Sequence, residues 1–141
     1  MAVLFNWRGI LKTYKCGYKH CQHPDDPILK DEAVLIGSKH YHKDCAEIKN
    51  TIDRSKRVFF DHILKGADYV QTVGVINNLV FKKGYSAEYV EFMLMWLALR
   101  GSKVNSPYSL HYTVTNNLIV RDFKNPVSRQ DVINRYAYRF G

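Results

Sequence analysis

The 141-residue sequence predicts an α+β fold that is mostly helical, and three observations lead to it. All three cysteines and four of the six histidines fall between Cys16 and Cys45, interleaved as Cys16, His20, Cys21, His23, His40, His42 and Cys45. Three apolar stretches at helical spacing follow, each closed by a glycine: Gly66, Gly84 and Gly101. Beyond Gly101 the pattern changes to period-two alternation over 109–115, the mark of a strand.

The Cys/His stretch comes first. It holds two paired half-sites, Cys16-x4-Cys21 and His42-x2-Cys45, separated by twenty residues. Zinc takes four soft or borderline donors in a tetrahedron, and a chain supplies them most simply as two turns of two ligands each. The predicted ligands are therefore Cys16, Cys21, His42 and Cys45, around a structural Zn2+. His40, His20 and His23 each compete with His42 for the histidine position, and only the His-x2-Cys spacing favours His42. An odd number of cysteines argues against a closed disulfide framework, since one thiol would be left over, and a reducing, cytoplasmic setting is expected.

The segment 23–32 reads as a loop between the half-sites. A hairpin follows, from the apolar run 33–36 through the turn pair Gly37 and Ser38 to a return strand 39–41. It delivers His42 and Cys45 into the first turn of a helix, where Asp44 complements the helix dipole. That helix continues to about Lys65, with Ile48, Ile52, Phe59 and Ile63 on one face. A second helix fits 69–82 with Val70, Val73, Ile76 and Val80 on its apolar side. Ser86 caps a third, 87–100, which lacks any polar position from Phe92 to Leu99 and is expected at the centre of the core. A β-hairpin spans 109–123 with its turn at Asn116 and Asn117. Ser128 and Asp131 resemble a capping box opening a short helix with Val132, Ile133 and Tyr136. Two parts result, 1–66 as a zinc-binding unit with its long helix and 67–141 as a helical core with a hairpin, packed as one compact body.

The order of a cysteine pair, a hairpin and a His-x2-Cys step at a helix start resembles the treble-clef and LIM-type zinc folds. The motif Tyr41-His42-Lys43-Asp44-Cys45 looks like the aromatic-His-x2-Cys half of a LIM site. The resemblance spans residues 14–49 and implies a structural, closed zinc. It departs at the first half-site, where LIM-type sites use C-x2-C. The same step into a helix, with the later Gly84-Tyr85 turn, is also similar to small zinc-knuckle proteins of uncharacterised role encoded by bacterial viruses, from which no activity is transferred.

A net charge of +8 predicts a polyanionic partner. The expected function is non-enzymatic nucleic-acid binding, DNA or RNA, through backbone phosphates touched by Arg54, Lys56, Arg57, Lys82, Lys83, Arg121 and Lys124. The order helix, turn, helix, hairpin is that of a winged-helix DNA binder. Glu88 and Glu91 on the second of those helices oppose docking in the major groove. The alternative is a protein-interaction module acting on a host factor that handles nucleic acid. A metal-dependent nuclease drafting His40, Asn50 and His62 comes third. Neither H-E-x2-H nor the paired motifs of a zinc deaminase occur, so no catalytic residue is assigned. Met1 to Phe5 is apolar but too short for a secretory signal core and is followed by Arg8, and no stretch approaches eighteen uninterrupted apolar residues, so neither a secretory signal nor a membrane span is expected. Tyr14, Tyr18 and Tyr41 flank the half-sites; packing is expected of Tyr41, whereas Tyr14 and Tyr18 are candidates for stacking as well.

Overall fold

The computed structural model describes residues 12–101, 104–110 and 129–141, with side chains from 130 onward in the last stretch. The chain divides into two compact units, Met1–Asn50 and Thr51–Gly141.

In the first unit a two-residue strand β1 (Thr13–Tyr14) pairs antiparallel with β2 (Ile28–Leu29), in the register Tyr14 opposite Ile28. The segment 23–32 is thus not wholly loop: it contributes β2 and a 3-10 turn, Lys30–Glu32. Two residues are too few to show periodicity, and the ladder forms because Ile28 is buried, at 2 % exposure. The predicted hairpin is present as β3 (Val34–Ile36) and β4 (Lys39–Tyr41), joined through Gly37 and Ser38. Gly17 lies so close to β4 that a Cβ there would stand 2.9 Å from the Cβ of Lys39, and its N–H donates to the His40 carbonyl at 2.8 Å. Only glycine permits that approach.

Helix α1 (Lys43–Val58) starts in this unit and ends in the second. It runs into a π-helical segment, Phe59–Ile63, closed by a bond from the Leu64 N–H to the Phe59 carbonyl at 2.9 Å. Helix α2 (Tyr69–Asn77) ends in the same manner, in Asn78–Lys82. Its start is fixed by Asp68, whose Oδ1 accepts the Gln71 N–H at 2.9 Å, a cap the apolar pattern did not reveal. At its end the Tyr85 N–H reaches back to the Leu79 carbonyl at 3.1 Å across Gly84, whose φ of 81° suits glycine. Helix α3 (Ala87–Leu99) is capped by Ser86 as predicted, its Oγ accepting the Tyr89 N–H at 3.1 Å.

The core of this unit is built on α3, which packs against the Phe59–Ile63 segment and against α4 (Arg129–Phe140). Phe59, Ile76, Leu79, Met93 and Leu94 are fully buried, each such side chain contributing about 1.5–3 kcal/mol. Around α3, Met95, Trp96 and Leu99 remain half-buried, so burial is not complete on every side.

The predicted face of α2 needs correction. Val70 is 77 % exposed, and the buried row is Thr72, Val75, Ile76 and Leu79. Apolar residues occur almost all round this helix, so two stripes were available. The Thr72 hydroxyl donates to the Asp68 carbonyl at 2.8 Å, which satisfies it and lets that side turn inward. The strand expected from Ser109 is also corrected at its start, because 107–110 forms a helical turn. The remainder, 111–123, and Ser128 of the capping box lie outside the described residues. The final helix, expected to be short, is 12 residues long. No described helix is long and apolar enough to cross a membrane.

Candidate metal centre

Four donors from three pieces of backbone meet in the first unit. Cys16 and Cys21 flank the turn after β1, His42 follows β4, and Cys45 sits in the first turn of α1. Their ligand atoms all lie within 4.8 Å of one another. His42 Nδ1 is 3.5 Å from Cys21 Sγ and 3.8 Å from Cys45 Sγ. A tetrahedral zinc with Zn–S of about 2.3 Å and Zn–N of about 2.0 Å sets S···N edges of about 3.5 Å. The spacing is that of a ligand shell around one ion.

The orientation of His42 is equally specific. Its Nε2 is 2.9 Å from the Asp26 carbonyl. A carbonyl only accepts, so Nε2 carries the proton and the Nδ1 lone pair faces the sulfurs. Metal-binding histidines are held this way, with the second ring nitrogen donating to a backbone carbonyl or carboxylate. The acceptor belongs to the connecting segment, where the Asp26 N–H is itself tied to the His23 carbonyl at 3.1 Å.

The thiols show why the cluster suits a cation. Burial pushes the Cys16 thiol up, but hydrogen bonds with the backbones of His42 and Tyr18 and with the side chains of His42 and Cys21 outweigh it, bringing it down to about 7. Cys45 moves the other way: burial first, then its contacts with Cys21 and Cys16, hold it above the ordinary thiol range. Three sulfurs this close cannot all ionise comfortably alone, and a divalent ion removes that conflict.

The competing histidines fall into distinct positions. His40 stacks on Tyr14 with ring centroids 3.7 Å apart, and His20 packs edge-on to Tyr18. Tyr41 is buried and Tyr18 packs edge-on to it. These aromatics therefore make the small core of the unit. His23 is different. It lies beside the centre, its ring centroid 3.9 Å from that of His42 and its Nε2 3.9 Å from Cys45 Sγ. That Nε2 also meets Asp44 Oδ2 at 2.8 Å, a bond that raises the basicity of His23 and lowers that of Asp44. His23, His42, Asp44 and Cys45 form a second group whose ligand atoms all lie within 4.8 Å of one another. No short sequence spacing links His23 to Asp44, so this pairing was not legible in the sequence.

The basic candidates are distributed over the second unit. Arg54 is engaged by Glu91, Nε to Oε2 at 2.7 Å and Nη2 to Oε1 at 3.3 Å, and by Thr51 Oγ1 at 3.1 Å. Glu91 is buried at 8 % exposure, so it does not face outward as expected of a residue opposing DNA. Lys56 pairs with Asp53 at 3.1 Å and lies over the Tyr69 ring. Arg57, Lys82 and Lys83 are exposed. Arg121 and Lys124 lie outside the described residues. Of the residues drafted for a nuclease, Asn50 is exposed, His40 holds the Tyr14 stack, and His62 stacks on Phe140 at 4.0 Å.

No protein-family model, curated protein or solved structure matches the chain. The likeness to LIM-type and viral zinc knuckles rests on the quoted motifs alone.

Proposed function

We propose that the first unit is a structural zinc site and that the protein is a non-enzymatic nucleic-acid binder contacting backbone phosphates. Three thiolates and one imidazole are a donor set that selects zinc over harder divalent ions. Four protein donors fill a tetrahedron and leave no position for a reacting water, which argues for structure over hydrolysis. The Asp26 carbonyl behind His42 is the observation that carries the zinc assignment, because it fixes the tautomer that a metal needs.

The partner is inferred from where the charge lies. The second unit holds 13 Lys and Arg against 7 Asp and Glu, or +6 of the +8 total. Arg57, Lys82 and Lys83 make no ion pair among the described residues. Phosphate neutralisation by such residues releases counterions and makes binding fall steeply with salt. The test uses metal-loaded protein, its zinc measured by mass spectrometry, titrated with random single- and double-stranded DNA and RNA at two salt concentrations. Binding with a steep salt slope, reduced by Lys82→Glu together with Lys83→Glu, is the expected result. Absence of binding at low salt retires the nucleic-acid reading.

One observation favours a protein partner instead. Tyr69, Val70 and Tyr108 are 61 %, 77 % and 58 % exposed, and Val70 and Tyr108 line a cleft of about 340 Å³. Exposed apolar groups gathered at a cleft are a feature of interaction surfaces. Salt-insensitive capture of a protein, lost in Val70→Asp, would support that alternative.

A further inference from the structure

The metal centre has a second donor set beside it, and we propose that His23 and Asp44 form an outer station through which the ion enters and leaves. This inference rests on the zinc site proposed above. His42 and Cys45 belong to both groups, so an ion moving outward exchanges only Cys16 and Cys21 for His23 and Asp44. Two ligands stay bound throughout. Such stepwise exchange avoids releasing a bare ion from a fully broken shell.

The two sets differ in access. Cys16 and Cys21, the donors particular to the inner set, are half-buried, whereas the side chains of His23 and Asp44 are 30 % and 60 % exposed. The outer set is also not pre-set for holding an ion. His23 Nε2 and Asp44 Oδ2 stand 2.8 Å apart in a hydrogen bond. An N···O edge of a zinc tetrahedron is about 3.4 Å. The pair must open by about half an ångström and lose the bridging proton, as ligands do when a metal binds. One thiolate and one carboxylate also make a weaker, harder set than three thiolates. A weaker set that reaches solvent through Asp44 and shares two ligands with a stronger one has the properties of a transfer site.

A second observation concerns the surroundings of the outer set. A cleft of about 580 Å³ in the same unit is lined by Asp31, Glu32 and Lys43 together with the donors His42 and Asp44. Six of the thirteen acidic residues, Asp25, Asp26, Asp31, Glu32, Asp44 and Glu47, fall within the stretch 25–47 of a chain whose net charge is +8. Three carboxylates against one lysine in the lining of this cleft raise the local concentration of a cation that the net positive charge of the chain repels.

The experiment loads the full-length protein with Zn2+ and follows transfer of the ion to excess chromophoric chelator, comparing wild type with His23→Ala and with Asp44→Asn. The expected result is one ion per chain in all three at equilibrium, with transfer slowed about tenfold or more in the variants. Transfer at the wild-type rate, or faster, overturns the proposal, because a residue that only shields the ion would speed its loss when removed. In parallel, a Cys16→Ser, Cys21→Ser variant is titrated with Co2+. A weakly held ion with the charge-transfer band of a single thiolate, abolished by adding His23→Ala, is expected. A band unchanged by His23→Ala overturns the outer set. Wild-type protein that holds no zinc at all defeats the zinc assignment itself, an outcome distinct from either of these.

Discussion

Among the described residues, the first unit buries four apolar side chains, Ile28, Tyr41, Cys45 and Ala46, and one of them is a metal donor. The second unit buries seventeen, among them Phe59, Ile76, Leu79, Met93 and Leu94, which line a continuous helical core. The described part of the first unit buries little apolar area to set against the chain entropy of ordering its residues, about 1–2 kcal/mol each for the backbone. On the zinc reading proposed above, the first unit draws on the bond energy of an ion, and the second on the apolar surface it hides. On that reading one chain uses two sources of stability, and each can be removed separately.

The largest expected effect comes from taking the ion away. Structural zinc supplies about 10–16 kcal/mol in small sites of this kind. Chelation should abolish hydrogen-exchange protection over 12–42 while leaving it in α3, measured by mass spectrometry with the ion restored as a control. Loss of protection in α3 to the same extent would merge the two sources into one. Leu94→Ala makes the opposite cut. Leu94 has no exposed surface, and its truncation should cost about 3 kcal/mol. The denaturation midpoint of the second unit should fall with no change in zinc content. Arg54→Ala comes next: it leaves the Glu91 carboxylate, 10 % exposed, without its partner, at about 2 kcal/mol. Adding Glu91→Gln should recover part of that loss in a double-mutant cycle, and strict additivity would show the pair to be uncoupled. Ser86→Ala should be the mildest, about 1 kcal/mol, seen as fraying of the first turn of α3.

Legibility follows the same division. Apolar period and glycine stops located α1, α2 and α3, because the core they build is made of apolar side chains meeting one another. Where the pattern failed, as on α2, two stripes competed, and a hydrogen bond from Thr72 to its own helix decided between them. In the first unit the quartet of candidate donors that meets in space was legible from spacing. What surrounds it was not. The ladder of β1 with β2, the reach of His23 to Asp44 and the acceptor for His42 all come from segments with no periodicity, brought together only by the fold. Gly17 was visible in the sequence, but its reason was not, since Lys39 across the turn imposes it.

The acceptor for His42 has a consequence for how this chain tolerates change. Asp26 orients the imidazole with its peptide oxygen rather than its carboxylate. Any residue supplies that oxygen, so the hold on His42 survives substitution at 26, while the carboxylate's own contact, with His23 Nδ1 at 3.6 Å, is lost. The length of the segment from His23 to Ile28 is not open in the same way, because one inserted or deleted residue moves the carbonyl off the ring. A substitution scan would miss the hold of position 26 on the ring, and an insertion scan would record the length of this segment as essential.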